Sequence, residues 1–358
     1  MVKTAMFLPL RLSFKGHRLS YSFSFNLRRF MRIIRQSFFI YSAEFSMHLI
    51  RDLRHLNQQL QGCALTIGNF DGVHLGHQAI LRHLRQKADE LNLPMAVMLF
   101  EPQPREYFLG EKAPARLMRL RDKLHYLKRA GVDIVIVAKF DRTFAGIPAE
   151  QFVEDWLVRT LNVKFLSIGD DFKFGAKRQG NFALLQQAGE KFGFTVEDNR
   201  SFCLDELRIS STAIREALAN DDLTLAEKLL GRPYRILGRV IHGNQLGRTI
   251  GFPTANIRLH RQVNPVKGVY AVKVRLKSGA FFNGVANIGT RPTINGVNQL
   301  LEAHLFDFQG DIYGQWLEVE LCHKIRNEMK FASFDDLKDQ IAKDVETAKN
   351  IFKTDRTF

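Results

Sequence analysis

Four short apolar runs separated by three stretches of helical spacing fill residues 63–168, and this alternation constrains the fold more than any other feature of the chain. Cys63–Ile67, Met95–Phe100, Val132–Ala138 and Lys164–Ile168 have the length and composition of buried strands. Between them, Gln78–Asn92 places Ile80, Leu81, Leu84, Ala88 and Leu91 on one helical face, and Arg116–Ala130 spaces Leu117, Leu120, Leu124 and Leu127 by three and four. Pro148 opens a third helix over 148–161, at a position where its missing N–H costs nothing. Strand and helix in alternation predict a parallel sheet with helices on both faces. Such sheets bind ligands beyond the carboxyl ends of their strands, so the chemistry is expected in the loops that follow them.

The first of those loops reads Gly68-Asn69-Phe70-Asp71-Gly72-Val73-His74-Leu75-Gly76-His77 and runs straight into a helix. Three glycines let backbone N–H groups approach a phosphate, at a helix start whose dipole favours anions. His74 and His77 are three apart and can face one side, where imidazoles can hydrogen-bond phosphoryl oxygens. Taken alone, two histidines at this spacing are more often incidental to a capped turn. A zinc pair is the other reading, but no HExxH and no cysteine partner supports it. The order strand, glycine loop, helix favours phosphate binding, although neither GxxxxGK[ST] nor GxGxxG occurs.

Later loops add candidates. Phe100-Glu101-Pro102-Gln103-Pro104 predicts an extended loop stiffened by two prolines. Gly169-Asp170-Asp171-Phe172-Lys173-Phe174-Gly175, followed by Lys177 and Arg178, suits a flat polar ligand or merely a surface turn. Arg208–Arg215 begins another helix, with Ser211 and Thr212 as natural caps and Arg215 one turn in, within reach of a phosphate at the same helix end.

GNFDGVHLGH followed by ISSTAIR resembles the HxGH nucleotidyltransferases, and the detailed wording resembles the FAD synthetase (FMN adenylyltransferase) module of bacterial flavin enzymes. The likeness covers about 47–230 and includes the FEPQP and GDDFKFG loops. It implies ATP + FMN → FAD + pyrophosphate. It also implies that Asn69, His74, His77, Ser211, Thr212 and Arg215 handle the ATP phosphates and that Asp171 lies near the flavin. In-line attack of one phosphate on another needs positioning and charge stabilisation more than a base.

Beyond Leu223–Leu230, a helix closed by Gly231-Arg232-Pro233, the pattern changes. Glycines recur and bracket short alternating runs such as 270–276 and 316–321, which predicts a small sandwich or barrel. Phe334–Phe352 closes the chain as a helix with Leu337, Ile341, Val345 and Ile351 on one face. In Gly247-Arg248-Thr249-Ile250-Gly251-Phe252-Pro253-Thr254-Ala255-Asn256, the Thr254 hydroxyl and Asn256 amide oxygen are hard donors suited to Mg²⁺ on a nucleotide, or else parts of a proline turn. Glu302 is a carboxylate in an apolar run, where facing solvent at alternate positions is the commoner case. GRTIGFPTAN, GVYAV, GVANIGTRPT, EAHLFDF and IRNEMKF resemble riboflavin kinase throughout 233–358. This likeness implies riboflavin + ATP → FMN + ADP. Glu302 would be the catalytic base, Thr254 and Asn256 the Mg²⁺-nucleotide ligands, and Arg326 a neighbour of the flavin.

The whole of 47–358 therefore resembles the bacterial bifunctional riboflavin kinase/FAD synthetase family, in its module order. The expected fold is an α/β doubly wound parallel-sheet nucleotidyltransferase domain over 47–232, then a small antiparallel β-barrel kinase domain with a C-terminal helix over 233–358. The expected small molecules are Mg²⁺, ATP, riboflavin, FMN and FAD. The same architecture with one module inactive is the alternative within enzymes. Three cysteines far apart, without a CxxC, point to a reducing, cytoplasmic setting, as a monomer or a homo-oligomer. No run is apolar enough to span a bilayer.

Charge supplies the remaining question. The chain has 358 residues, with 52 Lys and Arg against 37 Asp and Glu, a net charge of +15 that suits nucleic acid, an anionic membrane or phosphorylated small molecules. Residues 1–46 hold eight of the bases and one of the acids, hence +7, and the remaining 44 bases and 36 acids leave +8. Residues 1–46 read as a transit peptide, a basic arm, or translated sequence upstream of a start at Met47, and the third is the expectation, since the resemblance implies a bacterial enzyme whose chains usually begin near Met47. With no aromatic–basic RNA motif, a modest +8 and phosphorylated substrates, neither nucleic acid nor membrane is expected as a partner.

Overall fold

The computed structural model describes residues 47–51, 59–169, 171–199, 203–204, 207–243, 251–261, 263–293 and 296–354. The reading of residues 1–46, the loop positions Gly247 to Ile250 and Asp170 fall outside them. The described residues belong to one compact unit.

The first half is an all-parallel six-stranded sheet. Its strands are β1 (His48–Arg51), β2 (Cys63–Ile67), β3 (Met95–Glu101), β4 (Ile134–Lys139), β5 (Val163–Ile168) and β6 (Thr195–Asp198), in spatial order β1-β4-β3-β2-β5-β6. Alternate residues of the central strands enter two separate cores, as the pleat requires. Met95, Val97 and Leu99 of β3 pack with Leu81, Leu84 and Ala88 of α1 (Leu75–Glu90) and Leu127 of α2 (Leu120–Arg129). Ala96 and Met98 pack on the other face with Phe152, Val153 and Leu157, and with Leu185 and Ala188 of α3 (Phe182–Phe192). Both faces are covered, which is why the strands read as unbroken apolar runs.

The expected third helix is a short α-turn, Ala149–Gln151, that continues as a π-helix over Phe152–Thr160, where Leu161 N–H donates to the Trp156 carbonyl at 2.9 Å. The prolines of FEPQP do not keep the whole segment extended: Pro104 opens a helix, Pro104–Leu109, whose start is closed by Gln103 N–H donating to Glu106 Oε2 at 3.0 Å.

After α4 (Ser211–Ala219) and α5 (Leu223–Leu230), strands Arg235–Ile241, Ala255–Arg258, Gly268–Arg275, Phe281–Thr293, Gly296–Leu305 and Trp316–Arg326 close a barrel. A short pair, Cys203–Leu204 with Leu207–Arg208, precedes α4. Counting that pair as β7 and β8, the barrel strands are β9 to β14, arranged β10-β13-β12-β11-β14-β9. Closure removes the exposed edges that a small open sheet would carry. The lumen is solid: Ile257, Tyr270, Val272, Ile288, Leu301, Ala303 and Val319 are buried there, as six strands leave room only for side chains. α6 (Phe334–Thr354) lies on the outside of the barrel, with Ala348 packed on Val269, Ala271 and Val285.

The two halves share one hydrophobic core. Leu117, Ile214, Leu218, Leu229 and Leu230 belong to the same buried cluster as the barrel lumen. Polar ties cross the same seam. Tyr234 O–H donates to the Leu117 carbonyl at 3.1 Å, Tyr270 O–H donates to Asp221 at 2.8 Å, and the Arg121 guanidinium lies 3.6 Å from the Trp316 ring centre.

Candidate functional site

Two sites emerge, one in each half. The first lies where the sheet order reverses. The chain steps outward from β2 through β3 to β4 and then returns to set β5 on the other side of β2. The loops after β2 and β5 therefore flank the switch point, the usual ligand crevice of an open α/β sheet. The glycine loop and the described residues 171–175 after β5 are the two in question.

His74 is the N-cap of α1, and its Nδ1 accepts from His77 N–H at 3.3 Å. The two imidazoles stack with centres 3.6 Å apart. Burial, opposed by Asp71 and assisted by Arg232 and Arg215, pushes the His74 pKa down to about 4. Burial, then His74, Lys123 and Arg232, holds His77 well below the ordinary histidine range. Both rings are neutral at pH 7. Because His74 Nδ1 is an acceptor, its single proton sits on Nε2, which makes that atom a hydrogen-bond donor. A donor that carries no charge of its own suits a position where charge develops only during reaction.

This burial has a stability consequence. A histidine with a folded pKa of about 4 and an ordinary value of 6.5 binds protons more readily in the unfolded chain between those two values. Its neutral form stabilises the fold fully above pH 6.5, and that contribution, about 3 kcal/mol, is lost as pH falls towards 4. Asparagine keeps the cap and does not titrate. Melting temperature between pH 7 and pH 4 is therefore expected to fall less steeply in His74→Asn than in the wild type, and parallel curves would contradict the assignment.

Asp71, buried and absent from the sequence-based set, organises the loop. Its carboxylate accepts from Leu117 N–H at 3.0 Å, Met118 N–H at 3.2 Å and Arg215 Nη2 at 2.6 Å. Its carbonyl accepts from the Ser211 hydroxyl at 2.8 Å. Ser211 and Arg215 thus reach the glycine loop, but through Asp71. Neither Ser211 nor Thr212 is the cap of α4. That role belongs to Ser210, whose Oγ accepts from Ala213 N–H at 3.1 Å, and Thr212 is exposed at the helix start.

Lys123, 1% exposed, donates from Nζ to the Asn69 carbonyl. Its signal was available in the sequence, because it stands on the apolar stripe of α2 between Leu120 and Leu127. Asn69 Oδ1 and His77 Nδ1 are buried polar atoms with no hydrogen-bond partner among the described residues. Such atoms call for an explanation, and a ligand's donor or a water is the usual one. Asp171 lies after β5, exposed, 3.8 Å from Arg208, on the loop where Phe172 and Phe174 stack.

The second site is on the outer wall of the barrel, beneath α6. A cavity of about 350 Å³ is lined by Thr254, Asn256, Asn287, Glu302, His304 and Arg326, with Leu337 and Ile341 of α6 opposite. Strand register explains the convergence. Glu302 of β13 pairs with Asn256 of β10 on one side and with Asn287 of β12 on the other. Cross-strand partners point to the same face, so the three form a row, while Leu301 and Ala303 point into the lumen. Glu302 faces the cavity, not open solvent. Asn287 lies inside the GVANIGTRPT stretch but carries no local mark that would single it out.

Asn256 Nδ2 donates to the Thr254 carbonyl at 3.3 Å, and Gly243 permits this placement, since a Cβ there would come within 2.6 Å of the Asn256 side chain. His304 Nδ1 contacts the Pro253 carbonyl at 2.9 Å and so steadies the same loop. Arg326 lines the cavity, but its guanidinium is engaged in a bidentate pair with buried Asp344 of α6, at 2.9 and 2.7 Å. That pair fastens α6 over the cavity, and Gln340 one turn earlier on the same helix donates to Asp344 at 2.9 Å and holds its carboxylate in place.

The donors fit Mg²⁺ of one kind. Among the described residues no group of three or more His, Cys, Asp or Glu could hold a metal ion. A hydroxyl and an amide oxygen beside one carboxylate suit an ion that brings nucleotide phosphates as its other ligands.

A glycine loop at the switch point of a parallel sheet, joined to a barrel with a separate polar cavity, defines a class of two-site nucleotide-handling enzymes. The FAD synthetase family model matches residues 56–213 and the riboflavin kinase family model residues 230–352. The bifunctional riboflavin kinase/FMN adenylyltransferase of Haemophilus influenzae is 78% identical over 308 residues, 86% of this chain and 100% of that protein. Its counterpart in Escherichia coli K12 is 58% identical over 307 residues, 86% of this chain and 98% of that one. The chain belongs to the bifunctional riboflavin kinase/FMN adenylyltransferase family. Among solved structures, one described as a macrolide-efflux protein from Streptococcus pneumoniae matches with a TM-score of 0.70 and 31% identity, covering 85% of this chain and 99% of that one. Among the described residues no helix is long and apolar enough to cross a membrane.

Proposed function

We propose that this chain converts riboflavin into FAD in two steps on its two sites: phosphorylation of riboflavin at the barrel, then adenylylation of FMN at the parallel sheet. The observation that carries this reading is the pairing of two separate sites, each inside the family match for its own reaction except for Arg215, two residues past the first match. Residues 47–232 are the adenylyltransferase module and 233–358 the kinase module.

At the barrel, Glu302 takes the proton from the ribityl 5′-hydroxyl. The oxygen then attacks the γ-phosphorus of ATP, the bond to the β-phosphate oxygen breaks, and ADP leaves. Asn256 and Asn287 flank Glu302 in the row set by strand register. The Thr254 hydroxyl and Asn256 amide oxygen would hold Mg²⁺, which when bound neutralises nucleotide phosphate charge. Arg326, fixed by Asp344, lines the cavity and would lie near the flavin.

At the sheet, a phosphate oxygen of FMN attacks the α-phosphorus of ATP and pyrophosphate departs, so no proton need be removed from the nucleophile. The chain supplies positioning and charge stabilisation. His74 Nε2–H, His77, Asn69 and Thr212 face the phosphates, while Ser211 and Arg215 hold the loop through Asp71. Asp171 lies on the loop towards the flavin. Cys63 is a buried free thiol, compatible with a reducing cytoplasm.

Incubating the protein with riboflavin, ATP and Mg²⁺ and resolving the flavins over time is expected to show FMN first and FAD after it. Absence of both products refutes the reading, and accumulation of FMN alone refutes the assignment of the sheet site.

A further inference from the structure

The turn between the glycine loop and α1 is strained. Phe70 and Val73 hold φ of 45° and 40°, in the left-handed region, and Gly72 between them holds φ of 90°. For a β-branched residue such as Val73 this is an outlier, and conformations of this kind persist only where surrounding contacts over-determine them. The contacts come from an unexpected quarter. Arg232, just past the end of α5, donates through Nη1 to the Val73 carbonyl at 3.1 Å and through Nη2 to the Gly72 carbonyl. The same Nη1 donates to the Leu230 carbonyl at 3.1 Å. Gln78 of α1 bridges the same two carbonyls, reaching Val73 at 3.0 Å and Leu230 at 3.1 Å. The Arg232 guanidinium lies 3.9 Å from the Tyr126 ring centre, which fixes its plane.

We infer that Arg232 is a positioning residue for adenylyl transfer, holding the strained turn that places His74 although it stands outside the FAD synthetase match and inside the riboflavin kinase match. This rests on the adenylyltransferase reading above. The fork takes two consecutive carbonyls on the protein side of the loop, at the residues immediately before His74. Without it only Gln78 still donates to the Val73 carbonyl, and a displacement of about 1 Å in a phosphate-transfer site costs on the order of 10²-fold in rate. Lysine cannot replace the fork, since one ammonium on a flexible stem does not reproduce the planar two-carbonyl geometry.

The test uses the full chain, with FMN adenylylation and riboflavin phosphorylation measured on the same preparations. Arg232→Ala is expected to lower kcat for adenylylation about 10²-fold. Its KM for FMN and its riboflavin phosphorylation should stay within about twofold of wild type, since a donor misplaced for the transition state affects kcat alone. Arg232→Lys should fall between alanine and wild type, and it provides the measurement if the alanine variant does not fold. Wild-type adenylylation in either variant, or a parallel loss of both activities, overturns the inference. Absence of FAD from the wild-type chain itself would refute the underlying reading instead.

Discussion

Glu302→Gln is expected to lower riboflavin phosphorylation by about 10²–10⁴-fold, the usual worth of a positioned base, while conversion of FMN into FAD continues at the wild-type rate. The substitution changes little besides proton affinity. Glutamine has nearly the same shape, so the row with Asn256 and Asn287 is preserved, and the neighbouring Leu301 and Ala303 remain in the lumen. An amide cannot accept the proton of the 5′-hydroxyl, however, and the attacking oxygen would lose its activation. Assaying each half-reaction separately, with riboflavin or with FMN as the starting flavin, distinguishes the outcomes. Equal loss of both activities would mean that Glu302 supports the fold and not the reaction.

His74→Ala should have the complementary effect, lowering FAD formation about 10²–10³-fold, the cost of removing one preorganised donor, with FMN still produced. Two functions disappear together in this variant. The Nε2–H donor is lost, and so is the acceptor that caps α1 at His77 N–H. Loss of a cap costs about 1 kcal/mol, too little to unfold a domain whose sheet is packed on both faces. In time courses from riboflavin, FMN should therefore accumulate to completion without FAD. FAD appearing at the wild-type rate would remove His74 from the reaction.

The elements legible in the sequence were those whose burial is uniform. β2 to β5 are covered on both faces, so each reads as an apolar run regardless of context. The edge strands His48–Arg51 and Thr195–Asp198 pair on one side only, and their polar composition hides them among loops. Pro104 is ambiguous in the sequence because proline both stiffens extended chain and opens helices, and Glu106 closing back on Gln103 N–H decides for the helix. Ser210 rather than Ser211 caps α4 because only one of adjacent hydroxyls can point along the helix axis while the next turns to the Asp71 carbonyl.

The site residues divide in the same way. Glycine loop, paired histidines, Thr254, Asn256 and Glu302 were visible because each needs a particular side chain at a particular place in a short motif. Residues acting from a distance were not. Lys123 and Arg232 reach the loop from elements 54 and 159 positions away in the chain, and Asp71 gathers Leu117, Met118 and Arg215 from two further segments. Nothing local marks an arginine as holding a carbonyl across that separation.

By itself, then, the amino-acid sequence determined the succession of a parallel α/β half and a glycine-punctuated β half, and the chemical vocabulary of each site, since periodicity and motif spacing are local properties. Tertiary structure alone decided three further matters. Strand register turned Glu302 towards Asn256 and Asn287, and a shift of one residue would have sent it into the lumen. Burial made His74 a neutral donor. Packing of the junction against the glycine loop placed Arg232 on the Gly72 and Val73 carbonyls, because long-range contacts depend on how faces meet and not on what any short segment contains.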